Sequence, residues 1–278
     1  MRYFFYLLMI AFLSVMLFWG MKAYSEAKAY EKTTHSLVAE MSPEKLAKFQ
    51  LKELAATVSL GFYKNKTKET LDVMKEVQQT ERAQSRKYAL YALIPLLGIL
   101  LSYFFTSLRV FTFFNALAAL ITLIMGLVTP IMMVTIHKKV EYLGDVVLSF
   151  ESKSVLGSVE KLFSNGDIIV AGVILLFSVI IPIVKIFSML FVSLFMQNRF
   201  AHTIVKFFKL IGKWSMVDVF VVATFLVYLT VGKGDVSRAE VEVGLYFFLA
   251  YVIVSMLVSL SADKMLHEER ERQTIASA

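Results

Sequence analysis

Long apolar runs alternate with charged segments along this chain. A hydrocarbon core of about 30 Å needs about 20 helical residues, so runs of that length predict membrane helices. Backbone groups find no water in lipid, and the alternation typical of barrel strands is absent, so each run is expected to be helical. The sequence therefore predicts an all-α, polytopic helical membrane protein. Its six predicted transmembrane helices are residues 3–20, 88–106, 111–136, 168–196, 216–231 and 243–262.

Composition agrees with this class and excludes others. The chain is 58% hydrophobic and 18% charged, outside the range of ordinary soluble domains. It has no cysteine, and its four histidines are scattered, so neither a metal site nor a cofactor is predicted. The net charge of +7 comes from basic residues beside apolar runs, where anionic lipid headgroups are nearer partners than nucleic acid.

The distribution of basic residues predicts the orientation. The loop 197–214 carries four basic residues and no acidic one, which is typical of a cytoplasmic loop. Threading six crossings puts Arg2, Arg109 and the segment 264–278 on the same side, so both termini are expected in the cytoplasm. The first run could instead be a cleaved signal peptide, but its length favours an uncleaved anchor.

The polar segment 21–87 separates the first two runs and is expected outside the cytoplasm. Ser42 before Pro43 is typical of a helix start, and Gly61 of a helix stop. The segment is therefore predicted to be a helical hairpin that stands on two membrane helices.

A proline and a lysine interrupt the apolar stretch SVIIPIVKIFSML (178–190). A charge at mid-bilayer depth costs roughly 2.5–3.5 kcal/mol, and an interior proline removes a backbone hydrogen bond. Ser178, Pro182 and Lys185 share one helix face by their spacing of four and three. Two interpretations stay open: Lys185 reaches the headgroups by snorkelling, or it faces a functional protein interior.

The stretch GKWSMVDVF (212–220) marks the start of the fifth run. Trp214 is typical of the membrane interface, and Ser215 and Asp218 suit a helix N-terminus. A capped helix with an interfacial anchor explains this pattern by itself. The alternative hypothesis pairs Asp218 with Lys185, because a charge buried in lipid needs a partner.

Two runs carry small and polar side chains at helical spacing. Such stripes let membrane helices approach closely, so a packing seam is favoured over a ligand path. The stripe in the third run consists of Asn115, Thr122, Gly126 and Thr129, and Pro130 follows it. A similar face in the last run consists of Gly244, Tyr251 and Ser255.

Enzyme signatures are absent from the sequence. It contains no glycine-rich phosphate loop, no recognisable group of nucleophile, base and orienting residue, and no carboxylate pair in an apolar setting. The chain is therefore not expected to be an enzyme.

Four motifs resemble the paraquat-inducible protein A family of bacterial inner-membrane proteins. They are TLIMGLVTPIMMV (122–134), VLGSVEKLFSNGDIIVAG (155–172), FSVIIPIVKIFSML (177–190) and GKWSMVDVFVVATFL (212–226). The resemblance covers a four-helix membrane unit (109–263), and a transmembrane hairpin (1–108) and a cytoplasmic tail (264–278) are predicted on either side of it. Known members resemble two such units with zinc ribbons, whereas this chain has one unit and no cysteine. Three alternatives stay open for the single unit: it functions alone, it pairs with a second copy, or it has a different partner.

The resemblance also implies a function. Such a chain would be an inner-membrane subunit of an intermembrane phospholipid transport system, loading or receiving lipid for a tunnel-forming MCE-domain partner. Pro182, Lys185, Trp214, Ser215 and Asp218 would be its functional positions. Two alternatives stay open: a membrane sensor or assembly module with a helical outside domain, and a proton-coupled small-molecule transporter that uses Lys185 and Asp218.

Overall fold

A computed structural model describes residues 2–40, 45, 66–140, 144–194 and 237–277. In chain order these form α1 (Arg2–Glu40), α2 (Lys66–Leu101), a 3₁₀ turn (Ser102–Phe104), α3 (Leu108–Val128), β1 (Met132–Val140), β2 (Gly144–Lys153), α4 (Val155–Ser164), α5 (Ile168–Leu175), a π-helical turn (Leu176–Ile180), α6 (Ile181–Leu194), β3 (Ser237–Val241) and α7 (Val243–Ser277).

Within the described residues, five helical stretches are long and apolar enough to cross a membrane. The prediction of a polytopic helical membrane protein is therefore confirmed. The predicted fifth span, 216–231, lies outside the described residues, as do Ser42, Pro43 and Gly61. The five described stretches are Tyr3–Glu40, Asp72–Phe104, Leu108–Val128, Ile168–Leu194 and Val243–Met265.

Helices α1 and α2 pack side by side as an antiparallel coiled coil. Their buried residues recur at the alternating spacing of three and four, or at its sum of seven, that holds one seam toward a partner helix. Gln78 Nε2 donates a hydrogen bond to Thr34 Oγ1 at 2.8 Å across this seam. The seam residues are Met9, Met16, Ala23, Ala27, Tyr30, Thr34 and Leu37 in α1, and Ser85, Ala89, Ala92, Leu96 and Ile99 in α2.

Both helices continue past the apolar runs. Residues 21–40 and 66–87, which we call the stalk, extend about 30 Å beyond the membrane at 1.5 Å per residue. The described arms of the predicted hairpin are thus continuations of the two membrane helices, and the part that connects them, residues 41–44 and 46–65, lies outside the described residues.

Aromatic rings mark both ends of the membrane part of this pair. At the stalk end, Trp19 stacks on Tyr88 with 5.3 Å between ring centroids. At the opposite end, Lys264 Nζ lies 5.7 Å from the Tyr103 ring and 3.2 Å from its hydroxyl. Trp and Tyr prefer membrane interfaces. Tyr88 and Tyr103 lie about 23 Å apart along α2 and the 3₁₀ turn that follows it.

Helix α3 lies at the centre of the bundle and packs against α6, α7 and the α1–α2 pair. Ala116 and Ala118 are fully buried, and their small side chains allow the neighbouring helices to approach α3 closely. Leu123, further along α3, is also fully buried. Because these described helices pack around α3, its polar side chains Thr112, Asn115 and Thr122 are enclosed by protein.

The third predicted run ends earlier than expected, which corrects the prediction of a helix through residue 136. Helix α3 ends at Val128, and Thr129 adopts an extended conformation with φ −78° and ψ 144°. The Pro130 ring disfavours the helical conformation at the preceding residue, which explains this end. The chain then enters β1.

The strands form a three-stranded antiparallel sheet with order β2–β1–β3, which the sequence analysis did not predict. The sheet joins the end of α3 to the start of α7, because Glu242 N–H donates to the Ile131 carbonyl at 2.8 Å. It lies at the stalk end of the bundle, where β2 also contacts α1.

Candidate intramembrane polar site

Lys185 points into the bundle. Its side chain is 5% exposed, and Nζ donates a hydrogen bond of 3.0 Å to the Ser255 hydroxyl on α7. The ammonium therefore does not snorkel into the headgroups in this structure. Ser255 belongs to the small and polar face predicted in the last run, so the structure brings together two positions that the sequence analysis selected separately.

The spacing along α7 gives the depth of this contact. Ser255 lies nine residues before the interfacial Lys264, so it is about 14 Å from that side of the membrane. Half of a hydrocarbon core of about 30 Å is about 15 Å. Ser255 and the Lys185 ammonium bonded to it therefore lie near the middle of the membrane.

The helix that carries Lys185 changes its hydrogen bonding one turn earlier. Residues Leu176–Ile180 form a π-helical turn, in which the Ile181 N–H donates to the Leu176 carbonyl. Pro182 follows directly, and since it has no N–H it cannot continue the helical ladder from residue 178. Ser178 is half-buried within the π-turn, whereas Pro182 is buried. Single π-turns in helices often occur at functional sites.

Arg109 joins the last described turn of α6 to α3. Its Nε donates to the Ser193 carbonyl at 2.7 Å and its Nη2 to the Leu194 carbonyl at 2.6 Å. The Ser193 hydroxyl donates back to the Arg109 carbonyl at 2.9 Å. These three hydrogen bonds, two of them from a charged group, fix the position of α6 relative to α3.

The polar stripe of α3 faces α7. Thr112 and Ser261 exchange a hydrogen bond of 2.9 Å between their hydroxyls, which aligns the two helices. Asn115, Thr122 and Thr129 are all fully buried. Asn115 Nδ2 donates to the Phe111 carbonyl at 2.9 Å and Thr122 to the Ala118 carbonyl at 3.0 Å. The stripe lies in a close helix contact, the arrangement expected of a packing seam.

Two atoms of this stripe are buried without a hydrogen-bond partner among the described residues: Asn115 Oδ1 and Thr129 Oγ1. Asn115 is three residues beyond Thr112, which pairs with Ser261, so it lies about 4.5 Å along the helix axis from the depth of Ser255 on the antiparallel α7. Pro130 closes the stripe, and its carbonyl accepts the Gly244 N–H at 2.8 Å.

Three predicted site residues, Trp214, Ser215 and Asp218, lie outside the described residues. The pairing of Lys185 with Asp218 therefore stays a prediction. In the part of the chain that is described, no three His, Asp or Glu side chains come together as a metal site would require.

A second buried charge, Glu242, directly precedes α7 and was not predicted from the sequence. This side chain is 1% exposed, and its Oε1 lies 3.2 Å from Arg82 Nη2 on the stalk. Arg82 also pairs with Glu240, and Arg86 Nη2 lies 3.4 Å from the Val241 carbonyl. Burial raises the pKa of the Glu242 carboxyl to about 7, although Arg82 and Arg86 act to lower it.

One signal could have identified Glu242: it directly precedes the last apolar run, where an acidic residue suits a helix N-terminus. Its partner Arg82 is 160 residues away in sequence, so the contact itself has no local pattern.

A family model described as Paraquat-inducible protein A matches residues 112–269, which is more than half of the chain. The segment includes Lys185, Ser255, Glu242 and all but the first turn of α3, whereas the whole α1–α2 pair precedes it.

Two curated proteins illustrate the similarity. The chain is 29% identical over 119 residues to "Probable intermembrane transport protein" of Haemophilus influenzae, a match that covers 41% of this chain and 28% of that protein. It is 27% identical over 136 residues to "Intermembrane transport protein PqiA" of Escherichia coli K12, covering 47% of this chain and 32% of that protein. The chain thus matches less than a third of the length of these relatives. No solved structure matches the chain.

Proposed function

We propose that this chain, which belongs to the paraquat-inducible protein A family, is a bacterial inner-membrane subunit of a system that moves phospholipid between membranes. Its relatives carry names that state intermembrane transport. In this proposal the chain loads lipid into, or receives it from, a tunnel-forming MCE-domain partner, and both of its termini lie in the cytoplasm.

The observation that carries the proposal is the position of Lys185. An ammonium at mid-membrane depth that is turned into the protein is expensive to maintain, and such residues mark substrate pathways in membrane proteins. A lysine offers three donors on a compact charge, which suits a phosphate group. Ser255 holds the ammonium in place by its hydroxyl.

The opposite face of the same helix suits acyl chains. Ile183, Val184, Phe187 and Phe191 line an apolar groove of about 380 Å³ together with Ser188. Helix α6 therefore presents a cation to the bundle and an apolar groove to its other side. In the proposed function the headgroup passes on the Lys185 side while the acyl chains stay on the apolar side, and the π-turn gives α6 the freedom to adjust.

The test measures lipid bound to the purified protein by native mass spectrometry. We expect wild type and Lys185→Arg to retain phospholipid, and Lys185→Met, which matches the size but not the charge, to lose it. Lys161→Met is the matched control, because Lys161 is an exposed lysine on α4. Equal retention of lipid by wild type and Lys185→Met would reject the proposed role of Lys185.

The partner requires a separate measurement. Affinity purification from a bacterium that expresses the chain at its native level should recover an MCE-domain protein, and loss of either gene should alter the outer-membrane lipid composition in the same way. Unchanged envelope lipids in both deletions would reject the transport function itself.

Glu242 favours one second candidate, a proton-coupled transporter of small molecules. A buried carboxyl whose pKa is raised to about 7 can exchange a proton near neutral pH. Reconstituted protein would then move substrate only when a pH gradient is imposed across the vesicle, and Glu242→Gln would abolish that dependence. Lipid transfer that is insensitive to the gradient would exclude this candidate.

A further inference from the structure

A group of aromatic rings and lysines lies where the stalk leaves the membrane. Lys22 Nζ on α1 lies 5.4 Å from the ring centroid of Phe18, 5.7 Å from that of Trp19 and 5.6 Å from that of Tyr88. These distances are within the range of cation–π attraction, so three ring faces from two helices hold one ammonium.

A second lysine joins the same group. Trp19 packs edge-on against Tyr91 with 5.2 Å between centroids, and Lys87 Nζ lies 5.7 Å from the Tyr91 ring. The rings therefore form a continuous cluster with an ammonium on each side. We call this group the stalk-base cluster; it consists of Phe18, Trp19, Lys22, Lys87, Tyr88 and Tyr91.

The cluster is at headgroup depth. Lys22 follows the first apolar run directly and lies about 30 Å along α1 from Arg2, and Lys87 directly precedes the second run. Phe18 is 55% exposed and Tyr91 37% exposed, so the cluster faces out of the α1–α2 pair toward the surrounding lipid. Phosphate groups of the bilayer surface are the anions nearest to this position.

Neither ammonium is neutralised by the described residues. Lys28, one turn and a half further along the stalk, pairs with Glu31 at 2.8 Å, but no carboxylate of the described part of the chain forms an ion pair with Lys22 or Lys87. An ammonium on a ring face keeps N–H groups for other acceptors. The indole N–H of Trp19 and the two tyrosine hydroxyls are further donors in the cluster.

We propose that the stalk-base cluster is a binding site for the phosphate of an anionic phospholipid, at the membrane surface from which the stalk rises. The two ammonium groups bind the phosphate oxygens, and the rings hold the lysines at the surface and contact the upper part of the acyl chains. The cluster precedes the segment matched by the family model, and the inference holds whether or not the bundle transports lipid.

Trp19 provides the readout for a test. The chain has two tryptophans, so Trp214→Phe leaves Trp19 as the single tryptophan, whose emission can be followed. The full chain in this background is reconstituted into phosphatidylcholine vesicles with a small fraction of either brominated phosphatidylglycerol or brominated phosphatidylcholine, since bromine quenches tryptophan on contact. The electrostatic attraction between one lysine and an anionic membrane surface is strong enough to enrich an anionic lipid roughly fivefold beside that lysine. We therefore expect brominated phosphatidylglycerol to quench Trp19 several times more efficiently.

Matched variants separate the site from general charge. Lys22→Ala with Lys87→Ala should make both brominated lipids quench equally, whereas Lys22→Arg with Lys87→Arg should keep the preference. Lys32→Ala with Lys75→Ala removes the same charge from exposed positions further along the stalk and should also keep it. Unchanged quenching by brominated phosphatidylcholine in the alanine pair verifies that Trp19 has kept its depth.

Three results would overturn the proposal. The first is no preference for brominated phosphatidylglycerol in the Trp214→Phe background. The second is a preference that remains when Lys22 and Lys87 are both alanine, and the third is a preference that is lost when Lys32 and Lys75 are both alanine. Soluble glycerol phosphate distinguishes the source of the phosphate. It should not displace the lipid; if it removes the preference, the cluster binds soluble phosphate esters and not a membrane lipid.

Discussion

Gly126 of α3 lies directly against the backbone of Phe248 in α7. A Cβ at position 126 would stand 2.8 Å from the Phe248 nitrogen and 2.9 Å from its Cα. Side chains can rotate away from such a contact, but the backbone of a packed helix cannot. The α3–α7 contact therefore depends on the missing side chain of Gly126.

We expect Gly126→Ala to destabilise the bundle, because one added methyl group would force the two helices apart. Overpacking of this kind costs about 1–3 kcal/mol. Thermal unfolding in a nonionic detergent measures the effect. Gly172→Ala is the control, since a Cβ at that helical position meets nothing within 4 Å. Equal melting temperatures for the two variants would argue against a tight seam.

The hydrogen bond between Lys185 and Ser255 can be isolated by a double-mutant cycle. Ser255→Ala removes an acceptor from a buried ammonium, and we expect it to reduce the free energy of unfolding by about 1–2 kcal/mol. In the Lys185→Met background the same change should cost much less, since no ammonium remains there. Ser259→Ala serves as a control, because among the described residues the Ser259 hydroxyl bonds within its own helix, to the Ser255 carbonyl, at 2.9 Å. Additive single effects would contradict the contact.

Arg109 is expected to stabilise the end of α6 through both of its hydrogen bonds. Arg109→Ala leaves the carbonyls of Ser193 and Leu194 without this donor, and hydrogen bonds to charged groups contribute roughly 1.5–3 kcal/mol each. Lysine cannot reproduce the forked geometry, so Arg109→Lys should recover only part of the loss. Chemical unfolding that orders the proteins as wild type, Lys variant and Ala variant supports this. Indistinguishable curves would mean that the carbonyls find other donors.

The membrane helices could be predicted because lipid imposes a simple rule on composition and length. The sequence also contains Pro130, but the apolar run continues past it, so the predicted helix extends to residue 136. The strand that follows depends on pairing with Gly144–Lys153 and with Ser237–Val241, a partner about 100 residues away. Such pairing leaves no local pattern in an apolar stretch.

The candidate site likewise has features that the sequence pattern predicts and features that depend on packing between distant segments. The helix face of Pro182 and Lys185 follows from spacing, but the choice between snorkelling and burial depends on the neighbouring helix, which the sequence does not specify. Ser255 was recognised as part of a polar face without an assigned partner. Glu242 was missed because its burial results from the packing of β3 and the stalk around it. Trp214, Ser215 and Asp218 lie outside the described residues, so their roles stay predictions.

Glu242 should make the stability of the protein depend on pH near neutrality. The ordinary pKa of this carboxyl is 4.5, and burial raises it to about 7 in the folded protein. Between these values the folded state holds a proton that the unfolded chain has released, so the free energy of unfolding falls as pH rises through this window. The stabilisation is fully present below pH 4.5 and is lost as the pH rises through about 7. The charged groups near this carboxyl are Arg82, Arg86 and Glu240, and the phenol of Tyr30, whose pKa is raised to about 12 by burial, stays neutral beside them.

Glu242→Gln removes this proton exchange and keeps a side chain of the same size. Relative to wild type, the variant should gain about 2–3 kcal/mol of unfolding free energy between pH 5 and pH 8, because only the wild type must bury a charge at high pH. Melting temperatures across this range measure the difference. Glu76→Gln provides the comparison, since Glu76 is an exposed carboxylate of the stalk that is not among the groups acting on Glu242, and its variant should follow the wild-type profile. If the Glu242→Gln profile also runs parallel to wild type, Glu242 is ionised in the fold at all these pH values, and its pairing with Arg82 outweighs its burial.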